Sequence, residues 1–248
     1  MVRNTGVISI REGGVLKRWL LGLAIVASTA FFDASTQMFL AGPSTPMFLG
    51  FRLLGLDGNL VQWGTARHKG AVSVTYAFVR NPTRFDDARN CDGMVALDAL
   101  LARSGIDFEQ LRSEATVAFS MWESVADIRF REVDDPARAG ILIGAQLEPT
   151  GHAFADVKYE PGDGPWRQIK RSLICLNPEK RWKIGFDGNL KIYDLRYTLA
   201  HEIGHAIGLD HPEPSGQIMS ARYEERFRTL QSGDVRGAIQ LYGLPHGR

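Results

Sequence analysis

The sequence of 248 residues has no surplus of either charge, with 29 Lys and Arg against 28 Asp and Glu and a formal net charge of +1. Without a long basic run or a nucleic-acid motif, nucleic acid is set aside as a partner class. Cysteine is scarce: Cys91 and Cys175 allow one bridge at most. Whether they pair depends on a Cα separation below about 7 Å, which a sequence does not supply. No internal repeat or low-complexity tract interrupts the chain. The uncharged stretch from Trp19 to Phe32 falls short of the roughly 20 residues that span a bilayer, so no stable membrane span is expected. What is present is ordinary globular composition, 44% apolar and 23% charged, enough for one sizeable domain or one domain and a small appendage.

Residues 1–30 read as a signal peptide: Arg11, Lys17 and Arg18 supply a positive segment, an apolar stretch begins at Trp19, and Ala27, Ser28 and Ala30 are small residues suited to cleavage. The expected location is therefore secreted, extracellular, where oxidation of the cysteines is permitted; retention of the segment as a membrane anchor is the weaker alternative, set aside on its length alone. Residues 31–70, punctuated by Gly and Pro without a sustained period, read as a linker or short pro-segment with one hairpin at Asp57-Gly58. Residues 71–245 form the expected domain.

Within it, Val72, Val74, Tyr76 and Phe78 alternate as in a strand. A turn-rich stretch runs from Asn81 to Asp92. Asp107 then caps a helix on which Phe108, Leu111, Ala115, Phe119 and Trp122 recur at helical spacing. Further strands are expected at residues 128–133, 140–145 and 172–177, a second helix at 193–209 ended by Gly208, and a third at 233–242. The expected fold is α+β: a twisted mixed sheet backed by a helix, with an active-site helix and a C-terminal helix.

The chemistry concentrates in His201-Glu202-Ile203-Gly204-His205-Ala206-Ile207-Gly208-Leu209-Asp210-His211. Residues four apart on a helix stack one turn above another, so His201 and His205 aim two imidazoles at one point. Gly208 can take the left-handed conformation that turns the chain back and delivers His211 as a third nitrogen. Three protein ligands leave a fourth tetrahedral position for water, the mark of a catalytic zinc. Glu202, beside the first ligand, can take a proton from that water as general base and pass it to the leaving amine. A chance match to five fixed positions in eleven is expected about once in 10⁶ windows at ordinary residue frequencies.

This pattern with Met219 eight residues beyond His211 resembles the metzincin zinc proteases, in which a Met-turn follows the long zinc motif. More narrowly the chain resembles the matrixins, through Val74-Thr75-Tyr76, Ala118 to Trp122, Gly151-His152-Ala153-Phe154 and Leu241-Tyr242-Gly243. The resemblance implies a zincin catalytic domain with one catalytic zinc, acting as an endopeptidase on protein or peptide substrate. It also implies a substrate-binding cleft touching Ala153, Tyr197 and Tyr223. Tyr197, four positions ahead of the first ligand, would reach the pocket for the residue after the scissile bond (P1′) and make it shallow; the alternative is a side chain turned into the core.

Departures from the family pattern bear on other metals and on latency. His152 matches one ligand of a matrixin's structural zinc, but an upstream H-x-D segment and the next strand's His are missing, with Cys175 standing where that His would be. A structural zinc or calcium is thus the weaker alternative. His152 then reads as a polar residue on a sheet-edge loop, and Cys175 as a buried small side chain or half a disulfide. No cysteine precedes Cys91, so the family's cysteine switch is absent; Asp57 either sits in a plain turn or offers a carboxylate that blocks the metal. Two rival functions keep the same ligands: a zinc hydrolase of small or non-protein substrates, and a non-catalytic secreted zinc-binding module, against which Glu202 speaks.

Overall fold

The computed structural model describes residues 50–64, 71–213 and 216–246. The leader read at residues 1–30 lies outside them, as do residues 31–49 and 65–70. The described chain begins with three short strands, β1 (Arg52–Leu53), β2 (Gly55–Leu56) and β3 (Asn59–Gln62). β2 and β3 form the expected hairpin, with positive φ at Asp57 (50°) and Gly58 (78°), the conformation that matches the twist of a two-residue hairpin loop.

The alternating segment becomes β4 (Val72–Phe78), its apolar side chains buried. The turn-rich stretch after it holds a small hairpin, β5 (Thr83–Arg84) with β6 (Gly93–Val95), and a short helix α1 (Asp98–Ser104) follows. α2 (Phe108–Val125) starts at Asp107 through a reciprocal cap: Gln110 N–H donates to Asp107 Oδ1 at 2.7 Å and Asp107 N–H to Gln110 Oε1 at 2.9 Å. Beyond it come β7 (Ile128–Glu132), β8 (Ile141–Gln146), β9 (Ala153–Tyr159) and β10 (Trp166–Leu176).

The central sheet runs β7-β4-β8-β10-β9, parallel except for β9, which pairs antiparallel with β10. β9 pairs only with β10 among the described strands, so its outer edge is unpaired. The sheet starts earlier than the boundary at residue 71, because β3 pairs in parallel with the first residues of β10. Residues 52–62 are thus built into the domain body instead of forming a connector ahead of it.

One sheet face packs on α2, where Leu111, Ala115, Ala118, Phe119 and Trp122 are buried and Phe119 stacks on Tyr76 at 4.1 Å. Truncating Phe119 or Trp122 to Ala there costs about 3–5 kcal/mol. A smaller apolar cluster on Leu142, Leu173 and Cys175 is covered by Phe85, Cys91 and Met94. Cys91 and Cys175 form a disulfide, with Cα atoms 6.6 Å apart. The remaining elements are β11 (Trp182–Lys183), β12 (Tyr193–Asp194), α3 (Leu195–Ala206), β13 (Leu209–Asp210) and α4 (Ser232–Tyr242). Among the described residues no helix is long and apolar enough to cross a membrane.

Candidate active site

α3 begins later than its periodicity suggests, because Tyr193 and Asp194 pair with β11 and Asp194 serves as N-cap, accepting from Tyr197 N–H at 2.9 Å. Asp194 is fully buried and also accepts from Arg228 (3.1 and 2.9 Å) and from Gly185 N–H (2.6 Å). Arg228 reaches Glu114 of α2 at 2.9 Å, and Glu114 holds Arg196 through two bonds of 2.7 and 2.9 Å. This charge-assisted network fixes the start of α3 against α2 and the segment that follows Met219.

About two turns further along, His201 and His205 converge with His211. The three Nε2 atoms lie 3.0 to 3.2 Å from one another. His201 Nδ1–H donates to Ile218 O (2.7 Å) and His205 Nδ1–H to Leu209 O (2.8 Å), which leaves the facing Nε2 atoms as lone pairs. Burial, then the neighbouring imidazole, lowers both histidines below their ordinary range, His201 strongly and His205 to about 4; burial lowers His211 as well. Neutral imidazole is the ligand form. A tetrahedral ion about 2.0–2.1 Å from each nitrogen needs nitrogens about 3.3 Å apart, so the donor set fits a metal of that geometry. Lone pairs this close repel unless a cation lies between them.

Glu202 is buried, and its Oε2 has no hydrogen-bond partner. Burial pushes its carboxyl up to about 8, opposed by the Ala155 N–H that binds it; a cation among the adjacent histidines would favour the charged form. Beneath the helix lies Met219. A Cβ on Gly204 would come within 2.1 Å of its Sδ and 3.0 Å of Trp122, so only glycine admits the methionine this close. Asp234 of α4 holds the turn from below, accepting from Ile218 and Met219 N–H at 3.0 Å each and from Gln231 N–H at 2.7 Å.

Delivery of His211 depends on the early strands. α3 ends at Ala206 with Ile207 as its C-cap, and Gly208 takes φ +105°; a Cβ there would lie 2.3 Å from Val61 O. β1 pairs with β13, Leu54 N–H donates to Gly208 O at 2.8 Å, and Trp63 Nε1–H donates to Ala206 O at 2.9 Å. Arg52 binds Asp210 at 2.8 Å, and Asp210 accepts from His211 N–H at 2.7 Å. The result is a cleft of about 380 Å³ with the three histidines and Glu202 at its floor and Ala153, Phe154, Ala155 and Val157 of β9 along one wall.

The matrixin family model matches residues 100–243, which include α2, the histidine cluster, Met219 and α4. The chain belongs to the matrixin family. It is similar to human stromelysin-3, 32% identical over 151 residues that cover 55% of this chain and 28% of that protein. It is also similar to metalloendoproteinase 1-MMP of Arabidopsis thaliana, 30% identical over 146 residues (54% and 38%), and to rat matrix metalloproteinase-23, 27% identical over 149 residues (54% and 38%). The match thus spans between about a quarter and two-fifths of the length of these relatives.

In this matrixin Tyr197 and Tyr223 both line the cleft while almost fully buried, their rings edge to face at 5.0 Å. Tyr223 stacks on Tyr193 (4.1 Å), and Tyr193 on His152 (4.0 Å). His152 therefore stands in an aromatic ladder at one end of the cleft, and Cys175 is consumed by the disulfide. His201, His205 and His211 form the one metal-capable group of three found among the described residues. Both carboxylate oxygens of Asp57 are engaged, by Arg89 and, at 2.8 Å, by the Tyr159 hydroxyl, so the carboxylate is directed to these partners and not to the histidines. Asp194, Glu114, Arg228 and Asp234 were not singled out from sequence. Asp194 and Asp234 carried local signals, the first an Asp three residues ahead of the N–H that it caps, the second an Asp three residues past the N-cap Gln231 of α4.

Proposed function

We propose that this matrixin is a secreted zinc-dependent endopeptidase that hydrolyses peptide bonds in protein or peptide substrates. The observation that carries the reading is the meeting of three imidazole Nε2 atoms with an unpartnered, buried Glu202 oxygen in an open cleft. His201, His205 and His211 would hold the zinc, which when bound supplies Lewis acidity toward the scissile carbonyl and the attacking water.

The chain's own groups do the rest. The unpaired edge of β9 offers backbone donors and acceptors to an extended peptide. Glu202 accepts the proton from water and passes it to the leaving amine, a transfer that favours a carboxyl poised near neutrality. Tyr197 and Tyr223 bound the P1′ pocket and leave it shallow, suited to Leu, Ile or Val. Secretion rests on the leader read at residues 1–30 and accords with the Cys91–Cys175 disulfide, which an oxidising compartment sustains.

The test is casein hydrolysis by the full chain, beside metal analysis of wild type and Glu202→Ala. Expected are cleavage by wild type and, in the variant, a zinc content equal to wild type with no turnover. A wild type that holds no zinc or leaves casein intact refutes the reading, and cleavage of small esters alone transfers it to a hydrolase of small substrates.

A further inference from the structure

Lys183 closes β11 and turns its side chain inward: that side chain is 12% exposed, and that of its partner Glu225 is 6% exposed. The ammonium has three oxygen partners, Glu225 Oε1 at 2.5 Å, Asn189 O at 3.0 Å and Asp187 Oδ1, one for each N–H. Glu225 in turn accepts from Asp187 N–H (3.0 Å), Gly188 N–H (2.6 Å) and the Tyr223 hydroxyl (2.9 Å). The same hydroxyl accepts from Asp194 N–H at 2.9 Å, and Asp194 binds Gly185 N–H. Residues 185–189 are therefore pinned to the cap of α3 at one end and to Glu225 at the other. Between these anchors Phe186 packs against Tyr197, ring centres 6.4 Å apart, under the Arg228 guanidinium.

Without the ammonium, the buried Glu225 carboxylate would be left with no cation beside it and with the Asp187 carboxylate across the space it fills, and a buried charge that has lost its partner is costly. The loop that carries Phe186 would swing out, and Tyr223 would lose the partner that orients its hydroxyl. We infer that Lys183 is a positioning residue that acts as an internal cation, holding Phe186 and Tyr223 against Tyr197 and so setting the depth of the P1′ pocket. This rests on the endopeptidase reading above. Lys183 is not itself among the residues that line the cleft, and its ammonium is bonded to Glu225, Asn189 and Asp187, so its role is separable from zinc binding and proton transfer.

The experiment compares wild type, Lys183→Met and Asp187→Asn on matched peptides with Leu or Phe at P1′, together with zinc content. Expected is an unchanged zinc content and a fall of about 10-fold or more in the Leu-over-Phe ratio of kcat/KM for Lys183→Met. Asp187→Asn, at an exposed acceptor, loosens the same contact without stranding a buried charge, and shifts the ratio the same way by a smaller factor. An equal loss on both peptides, or a ratio that stays put in Asp187→Asn when Lys183→Met does not fold, overturns the assignment. So does an unchanged ratio in a folded Lys183→Met. Wild type that cleaves neither peptide overturns the endopeptidase reading, and this assignment with it.

Discussion

Replacing Gly208 with Ala tests how His211 is delivered. The added Cβ would stand 2.3 Å from Val61 O, whereas real Cβ contacts do not fall below 3.0 Å. Val61 lies in β3 and Gly208 O is bonded by Leu54 N–H, so the obstacle is paired backbone and not a side chain that can rotate away. About 0.7 Å of main-chain displacement is needed to reach even that limit, three residues ahead of the third ligand. Metal–ligand distances tolerate about 0.2 Å, so the shift exceeds what the site absorbs. Zinc affinity should fall about 10- to 100-fold, the range for loss of an orienting contact. Positive φ adds about 1–2 kcal/mol of strain and overpacking about 1–3 kcal/mol. At about 2–4 °C per kcal/mol for a chain of this size, Tm drops by at least about 4 °C. The assay is competition for zinc with a chromophoric chelator, beside thermal denaturation. Gly105→Ala is the control, since Gly105 also has positive φ but nothing within 4 Å of the added atom; it should lose stability and keep wild-type zinc affinity. Gly208→Ala with wild-type affinity would refute the argument that this turn sets the position of His211.

Three further outcomes follow from the packing. Replacing Cys91 and Cys175 together with Ala opens a loop of 84 residues, and the chain-entropy relation puts the loss near about 4.5 kcal/mol; chemical denaturation under non-reducing conditions measures it, and a loss below about 1 kcal/mol would mean that the unfolded chain is already constrained. Asp234→Ala strands the N–H groups of Gln231, Ile218 and Met219, each costing about 1–3 kcal/mol where buried; Tm should fall well beyond that of an exposed Asp→Ala, and equality of the two would refute the support role. Tyr197→Leu should open the P1′ pocket and change the Leu-over-Phe preference by about 10-fold or more in peptide cleavage, whereas an unchanged order would mean that this ring does not bound the pocket.

The parts of the molecule legible from sequence are those whose signal is local. Asp107 and Gln110 sit three apart and satisfy each other, and Asp57-Gly58 demands positive φ, so neighbours alone specify both. His201, His205 and His211 are brought together by the helical period and one glycine. The strand β9 escaped because its mostly half-buried residues follow the His152 loop without a strong apolar alternation, and its pairing partner lies ahead in β10. The short hairpin of β5 and β6 is anchored by partners remote in sequence, through pairing of β6 with β8 and through the Cys91–Cys175 link across 84 residues. Glu114 and Arg228 are ordinary charged residues until the fold places them around the start of α3. Long-range partners of that kind leave no periodic trace.

The pairing of β1 with β13 and of β3 with β10 means that the stretch recognisable by family likeness, residues 100–243, is not portable on its own. Grafted elsewhere or trimmed at its own limits, it would carry all three histidines and Glu202 but leave the carbonyls of Ala206 and Gly208 without the Trp63 and Leu54 donors that now hold them. The motif residues and the contacts that hold the turn after α3 therefore come from different stretches of this chain. The contacts draw on strands β1 and β3 and on Trp63, which lie ahead of the matched stretch.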